Sequence, residues 1–253
     1  MKTSSAISVW RQSSSQTPGF TLVELLVTIV IIAVLVSLAF LGFGRVKLMA
    51  NKAASVNNIR NLSAATMVSA GDNNGRFLGI HSSANLPYRF TRSFRDQYGI
   101  TKKNAYSDYN NCWKSDGWDH CQNRDLWDFN AGDTVFGYAC MVDDSPTVEA
   151  SGWVTGTFEY PDNWERIKDQ ASSTTGRGPA TIRWVAKRTT DEVAYPILWM
   201  DLCRVYQGQV VGNFMSSDNE PIGVHIGYMD GHIEWKTGKD MKVRYRGGAN
   251  LLW

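Results

Sequence analysis

The feature that most constrains this chain is an apolar run from Leu22 to Phe43 that opens with a single acid, Glu24, and is broken by no other charge. As a helix, the stretch 20–43 extends roughly 36 Å at about 1.5 Å per residue, enough for a hydrocarbon core of about 30 Å. No second stretch of this kind occurs. A multi-span channel or transporter is therefore excluded, and a protein with one anchor and a large extra-membrane part remains. Ser37-Leu38-Ala39 has the small-x-small pattern of a signal-peptidase site, but an h-region of about 7 to 15 residues is shorter than this run. A plain single-span anchor leaves Glu24 without a purpose, since an acid inside an apolar run is costly unless paired. A buried core helix is rarely so long and so apolar.

The residues ahead of the run narrow the choice. Positions 1–19 form a Ser-rich leader with the cations Lys2 and Arg11 and no acid, ending in Thr17-Pro18-Gly19. Then comes Gly19-Phe20-Thr21-Leu22-Val23-Glu24 and the unbroken apolar helix. This pattern resembles the processing site of type IV pilins and type II secretion pseudopilins. The resemblance implies cleavage between Gly19 and Phe20 by a prepilin peptidase, N-methylation of Phe20, and loss of residues 1–19. It also implies a role for Glu24 in assembly: in a filament core the carboxylate would pair with the new α-amino group of Phe20 on a neighbouring subunit and fix register. The plainer reading of Glu24 places it at the helix start, favoured by the positive end of the helix dipole.

The helical pattern continues past the anchor. Met49, Ala53, Val56, Ile59 and Leu62 recur at steps of three or four without a proline, which predicts an amphipathic continuation over 44–70 with these residues on its inner face. Gly71-Asp72-Asn73-Asn74-Gly75 is turn chemistry, and Gly71 is the expected C-cap. Asn58 to Leu62 followed by Asp72 to Phe77 is similar to the Asn-Leu-Arg and Asp-x-Asn-Gly elements of many pseudopilin-like proteins. Where many relatives carry a proline in the mature helix this chain has Leu41, flanked by Gly42 and Gly44, glycines that loosen a helix or let another approach closely.

Residues 71–253 read as an extracytoplasmic globular domain. Most of the chain's ten Trp, ten Tyr and ten Phe lie here and supply area for a sizeable core. Residues 77–130 show no long element and read as a polar-aromatic insertion, and no second helix stands out. Short β-like runs follow at 134–142, 152–160, 181–189, 193–200 and 205–211. Two alternating runs flank Asp230-Gly231, predicting a hairpin over 223–236 with a two-residue type I′ turn. With His232 this turn resembles the Asp-Gly-His element of prepilin-type proteins of Planctomycetes and Verrucomicrobia, although His225 stands much closer to Asp230 than the paired His of that pattern. The expected architecture is α+β and type IV pilin-like: a long N-terminal helix packed on a C-terminal antiparallel sheet.

Other residues were weighed for chemistry. The four cysteines, Cys112, Cys121, Cys140 and Cys203, lack zinc or haem spacing and, in an oxidising exterior, predict disulfides Cys112–Cys121 and Cys140–Cys203, with buried free thiols as the alternative. Asp116, Asp119, Asp128 and Asp133 offer oxygen ligands that suggest calcium without the spacing of an EF-hand, and no other cofactor is expected. His225 and His232 flank Asp230, but the hairpin does not bring them together, and surface and turn chemistry is the preferred reading of both. No hydrolase, zincin or phosphate-loop motif is present, so no enzyme is expected. With 26 Lys and Arg against 24 Asp and Glu, the net charge of +2 gives no reason to expect a nucleic-acid partner.

The expected function is a filament subunit for type II secretion. Its partners would be itself, other pilin-like subunits, the prepilin peptidase and an inner-membrane assembly platform. Secreted substrates or polysaccharide are further candidates, through a Trp-rich distal surface. The alternatives are a minor pilin for adhesion or DNA uptake and a membrane-anchored binding module that never polymerises.

Overall fold

The computed structural model describes residues 19–82, 86–106, 126–128, 132–144, 157–159, 184–206, 208–246 and 250–253. The chain divides into two compact units, Met1–Lys47 and Leu48–Trp253. One helix, α1 (Leu22–Asp72), begins in the first and ends in the second.

In the first unit α1 is apolar on every side. Leu22, Leu26, Val30, Val34 and Leu38 are each more than half exposed, and so are Ile29, Ile31, Ile32 and Leu35 on the other faces. A helix that is hydrophobic all round has no inner face to offer a sheet, so its partner is lipid or other helices. Among the described residues no single helix is long and apolar enough to cross a membrane, and Leu22–Leu38 with Phe43–Asp72 meets that test only as a pair, by length and composition.

In the second unit α1 does have an inner face, but not the expected one. Ile59 and Leu62 are fully buried, whereas Met49 is 70% exposed and Ala53 is also on the surface. The buried stripe is Ser55, Asn58, Ile59, Leu62, Thr66, Ser69 and Ala70, more than half of it polar. The helix also outruns the expected Gly71 cap. It ends at Asp72, and the left-handed turn falls on Asn74 (φ 55°) and Gly75 (φ 76°), with the Gly75 N–H returning to the Ala70 carbonyl at 2.7 Å.

The strands form two main antiparallel sheets and a short pair. In chain order they are β1 (Arg89–Thr91), β2 (Asp133–Val135), β3 (Tyr138–Cys140), β4 (Thr157–Phe158), β5 (Ile197–Asp201), β6 (Cys203–Tyr206), β7 (Gln209–Gly212), β8 (Gly223–Tyr228), β9 (Ile233–Thr237), β10 (Val243–Arg246) and β11 (Asn250–Leu252). Sheet order is β3-β5-β8-β9 in one, β4-β10-β11-β6-β7 in the other, and β1-β2 in the pair. The insertion, in which no long element was expected, contains two short helices, α2 (Arg92–Gln97) and α3 (Lys102–Ala105), capped by Thr91 and Thr101. The run expected at 134–142 is split between β2 and β3, and that at 205–211 between β6 and β7. The described part of 181–189 forms only a bridge from Arg188 to Arg76.

The four-stranded sheet is covered on both faces. One face meets α1 through a cluster that includes Ile59, Leu62, Phe90, Phe136, Tyr138, Leu198 and Trp199. The other meets the five-stranded sheet through Ala139, Met200, Val224, Ile226, Cys203, Tyr245 and Leu251. This double cover is why every residue of β5 is buried. A register irregularity between Ile197 and Trp199 places two consecutive residues, Leu198 and Trp199, in the helix-side cluster. In the five-stranded sheet β10 lies between β4 and β11, and its Arg244 is buried.

Candidate functional site

The peptide expected to be cut, Gly19–Phe20, lies outside the helix, immediately before it, and both residues are exposed, Phe20 at 78%. A Cβ built on Gly19 meets nothing within 4 Å, so the chain's own packing does not require glycine there. Any such requirement comes from a protein that handles this peptide.

Thr21 and Glu24 close the helix start between them. The Glu24 amide donates to Thr21 Oγ1 at 3.2 Å, while the Thr21 amide and hydroxyl donate to Glu24 Oε2 at 2.9 and 2.8 Å. This is a reciprocal capping box, which satisfies amides that a helix end otherwise leaves bare. Its sequence signal is Thr-x-x-Glu before an apolar run, at Thr21 and Glu24. In the isolated chain Glu24 thus caps its own helix, and its carboxylate remains exposed at the head of the apolar stretch.

The lower half of α1 is joined to the sheet by polar contacts gathered on Asp201, a fully buried carboxylate at the end of β5. Oδ1 accepts from Ser55 Oγ (2.7 Å) and Asn213 Nδ2 (3.1 Å), and Oδ2 accepts from the His225 amide (2.8 Å) and His225 Nδ1 (2.9 Å). His225 is therefore a buried member of a joint, which corrects its reading as hairpin surface. Serine, histidine and aspartate meet here, but not as a nucleophile. Ser55 Oγ and Asp201 both face Nδ1, so the imidazole has no second nitrogen on the serine, whose proton goes to the carboxylate.

Three further contacts extend the joint. Asn58 Nδ2 donates to Tyr138 Oη at 3.0 Å, and Trp199 Nε1 donates to Thr66 Oγ1 at 2.8 Å. Lys52 Nζ lies 3.4 Å from the centre of a Trp235 ring, and partial burial lowers its ammonium pKa. Beyond the helix, Asp144 accepts from the amides of Ile80 and His81 (2.8 and 2.6 Å) and from His81 Nδ1 (2.9 Å). Burial alone would raise its pKa, but the His81 ring and these donors outweigh that and hold it below the usual value.

The hairpin at the Asp-Gly-His element forms as β8 and β9, with a different turn. Only Gly231 has a positive φ (90°). The Gly231 amide donates to the Tyr228 carbonyl and the Tyr228 amide to the His232 carbonyl. The loop is thus three residues closed by a left-handed glycine, not a two-residue type I′ turn. Asp230 Oδ1 accepts from the His232 amide at 3.1 Å and lies 2.5 Å from His232 Nδ1, and the imidazole stacks on Tyr228 at 4.2 Å. The element ties its own turn together.

The expected disulfide Cys140–Cys203 does not form. Both are buried free thiols in different clusters: Cys140 lies on the helix side of β3, and Cys203 follows the point where the chain leaves β5 for the other sheet. Desolvation pushes the Cys203 thiol up to about 12 and Cys140 well above its usual range. Cys112 and Cys121 lie outside the described residues, as do Asp116 and Asp119. Asp128 pairs with Arg92 and Arg95, and Asp133 with Arg89, so two of the four calcium candidates are engaged by guanidinium groups. Among the described residues no group of three or more His, Cys, Asp or Glu is placed to hold a metal. Trp184, Trp199 and Trp253 are core residues.

Residues 16–40 match the family model described as the prokaryotic N-terminal methylation motif. No curated protein and no solved structure matches the chain. The matched span contains Gly19, Phe20, the Thr21–Glu24 cap and the helix that is apolar on all sides. This chain carries a prepilin-type N-terminal methylation motif at the head of an α+β architecture of the pilin-like kind, a long helix followed by antiparallel sheets.

Proposed function

We propose that this chain is a structural pilin-like subunit, cut between Gly19 and Phe20 by a prepilin peptidase, N-methylated at Phe20, and assembled into a filament that serves type II protein secretion. The observation that carries this reading is the methylation motif over 16–40, with an exposed Gly19–Phe20 peptide directly ahead of a capped apolar helix. In this reading the mature chain sits in the inner membrane with its sheets on the far side, and its helices gather in the filament core. Cleavage frees an amino group at Phe20, only a few residues from the Glu24 carboxylate. An ammonium on one subunit and a carboxylate on the next then offer each other the pairing that an apolar core denies to either alone.

The test has two parts. Mass spectrometry of the membrane-extracted protein should find a chain that begins at Phe20 with one added methyl group. A chain that begins at Met1, or one that begins at Phe40, would overturn the reading in favour of a plain anchor or a secreted domain. Glu24→Leu should leave the sheet domain folded and abolish sedimentable filaments. If Glu24→Leu assembles like the wild type, Glu24 is only the local cap.

A further inference from the structure

Between Glu24 and Asp72 the helix carries Arg45, Lys47, Lys52 and Arg60 and no acid. Lys52 lies against Trp235, but Arg60 is exposed and has no partner among the described residues. It stands on the wall of an open groove of about 1300 Å³ between α1 and α3. Ala53 and Ala54 line it on the helix side, with Asn57 and Asn61 beside them, and Lys103 faces them from α3. The lining contains cations and carboxamides and no carboxylate. A concave surface with one sign of charge raises the local concentration of the opposite sign.

The same chain presents the complement on another element. The turn 216–220, closed by the bridge between Met215 and Pro221, is rigid: Ser216 Oγ accepts from the amides of Asp218 (3.3 Å) and Glu220 (3.1 Å), and the Ser216 amide donates to the Glu220 carbonyl at 2.8 Å. Asp218 and Glu220 are exposed, and neither carboxylate has a partner among the described residues. Several other surface acids are occupied, Asp230 by His232, Glu234 by Tyr228, Asp240 by Thr237 and Glu159 by Arg246, whereas Glu192, which is also exposed, stands alone rather than in a pair on one turn.

We infer that the Asp218–Glu220 turn of one subunit docks into the Arg60–Lys103 groove of the next. The inference rests on the filament reading above and adds which surfaces of the sheet domain meet. The two patches are different parts of one chain, so the contact is heterologous, and a heterologous contact that does not close into a ring propagates as an open helical assembly. The hydrogen-bonded turn enters the contact with its backbone already ordered, which reduces the entropy lost on docking.

Charge exchange in the full-length chain tests this, with the sedimentable filament fraction as the readout. Arg60→Glu with Lys103→Glu, and separately Asp218→Lys with Glu220→Lys, are each expected to lower that fraction roughly tenfold, because each brings like charges together. The chain carrying all four changes is expected to assemble again, which also shows that the reversals did not merely unfold it. If both reversed chains assemble as the wild type does, while still beginning at methylated Phe20 and still blocked by Glu24→Leu, the docking is wrong and the filament reading stands. If the reversed chains lose assembly and the fourfold exchange does not restore it, the loss has another cause and the docking is overturned. If the wild-type chain is neither cut after Gly19 nor sedimentable, both readings fall.

Discussion

The two halves of α1 obey opposite rules. From Leu22 to Leu38 the helix is apolar on all sides and exposed on all sides. From Ser55 to Ala70 its buried face holds Ser55, Asn58, Thr66 and Ser69 beside Ile59, Leu62 and Ala70. The first half is stabilised by an environment that this chain does not supply, lipid or the helices of other subunits. The second half is stabilised by the chain's own sheet, and its hydroxyls and amides can be buried because Asp201, Tyr138 and Trp199 receive or provide their hydrogen bonds. Polarity on a helix face therefore does not say whether the face is inside. What decides is whether a partner waits for each polar atom.

That contrast can be broken most severely at Asp201. Asp201→Ala removes the acceptor shared by Ser55, Asn213 and His225 and deprives the buried His225 amide of its carboxylate, while Asn213 Nδ2 keeps the Gly137 carbonyl. We expect a loss of roughly 3 kcal/mol or more of unfolding free energy, read by denaturant titration, with N-terminal processing unchanged. A loss below about 0.5 kcal/mol would show that water or relaxation replaces the joint.

Glycine substitutions sharpen the comparison. A Cβ at Gly227 on β8 would stand 2.5 Å from Ile59 Cγ2, so Gly227→Ala must push the helix from the sheet, at about 1 to 3 kcal/mol. The same change at Gly44, in the first unit, meets nothing within 4 Å and should favour the helix by about 0.5 to 1 kcal/mol. Thermal melts of the two variants should move in opposite directions. Equal shifts would mean that the two halves are not held differently.

Acid should produce a smaller effect, confined to the second unit. The folded-state pKa of Asp144 lies below its unfolded value, so its stabilising contribution is complete above the unfolded pKa of about 3.9 and is lost as pH falls through the lower folded value. Asp144→Asn should flatten the stability curve of the domain below about pH 4. An unchanged acid limb would show that other carboxylates control it.

Legibility in the sequence followed the range of the interactions. The long helix, the Gly19–Phe20 junction and the Asp230–Gly231 reversal were readable because each is written in consecutive residues. Even so, the turn type was missed, since Asp-Gly serves both a two-residue loop and a three-residue loop closed by a left-handed glycine. Periodicity of apolar residues points Met49 and Ala53 inward and gives no signal for Ser55 and Thr66, which are the ones buried. A Cys140–Cys203 bridge is expected to tie two strands, but the chain changes sheets between β5 and β6 and takes the second thiol to a different core. The two most deeply engaged polar residues of the helix find their partners 146 and 133 positions away, at Asp201 and Trp199.

The sequence by itself determined the one long helix, its apolar head, its N-terminal methylation motif and the strand-rich character of the rest, because hydrophobic period, capping residues and turn residues act within a few positions. Only the tertiary structure decided which face of the lower helix turns inward, where His225 and the cysteines lie, and which charges stay unpaired on the surface. Burial of a polar group is favourable or ruinous according to the partner it meets, and that partner is chosen by strand pairing across the whole chain.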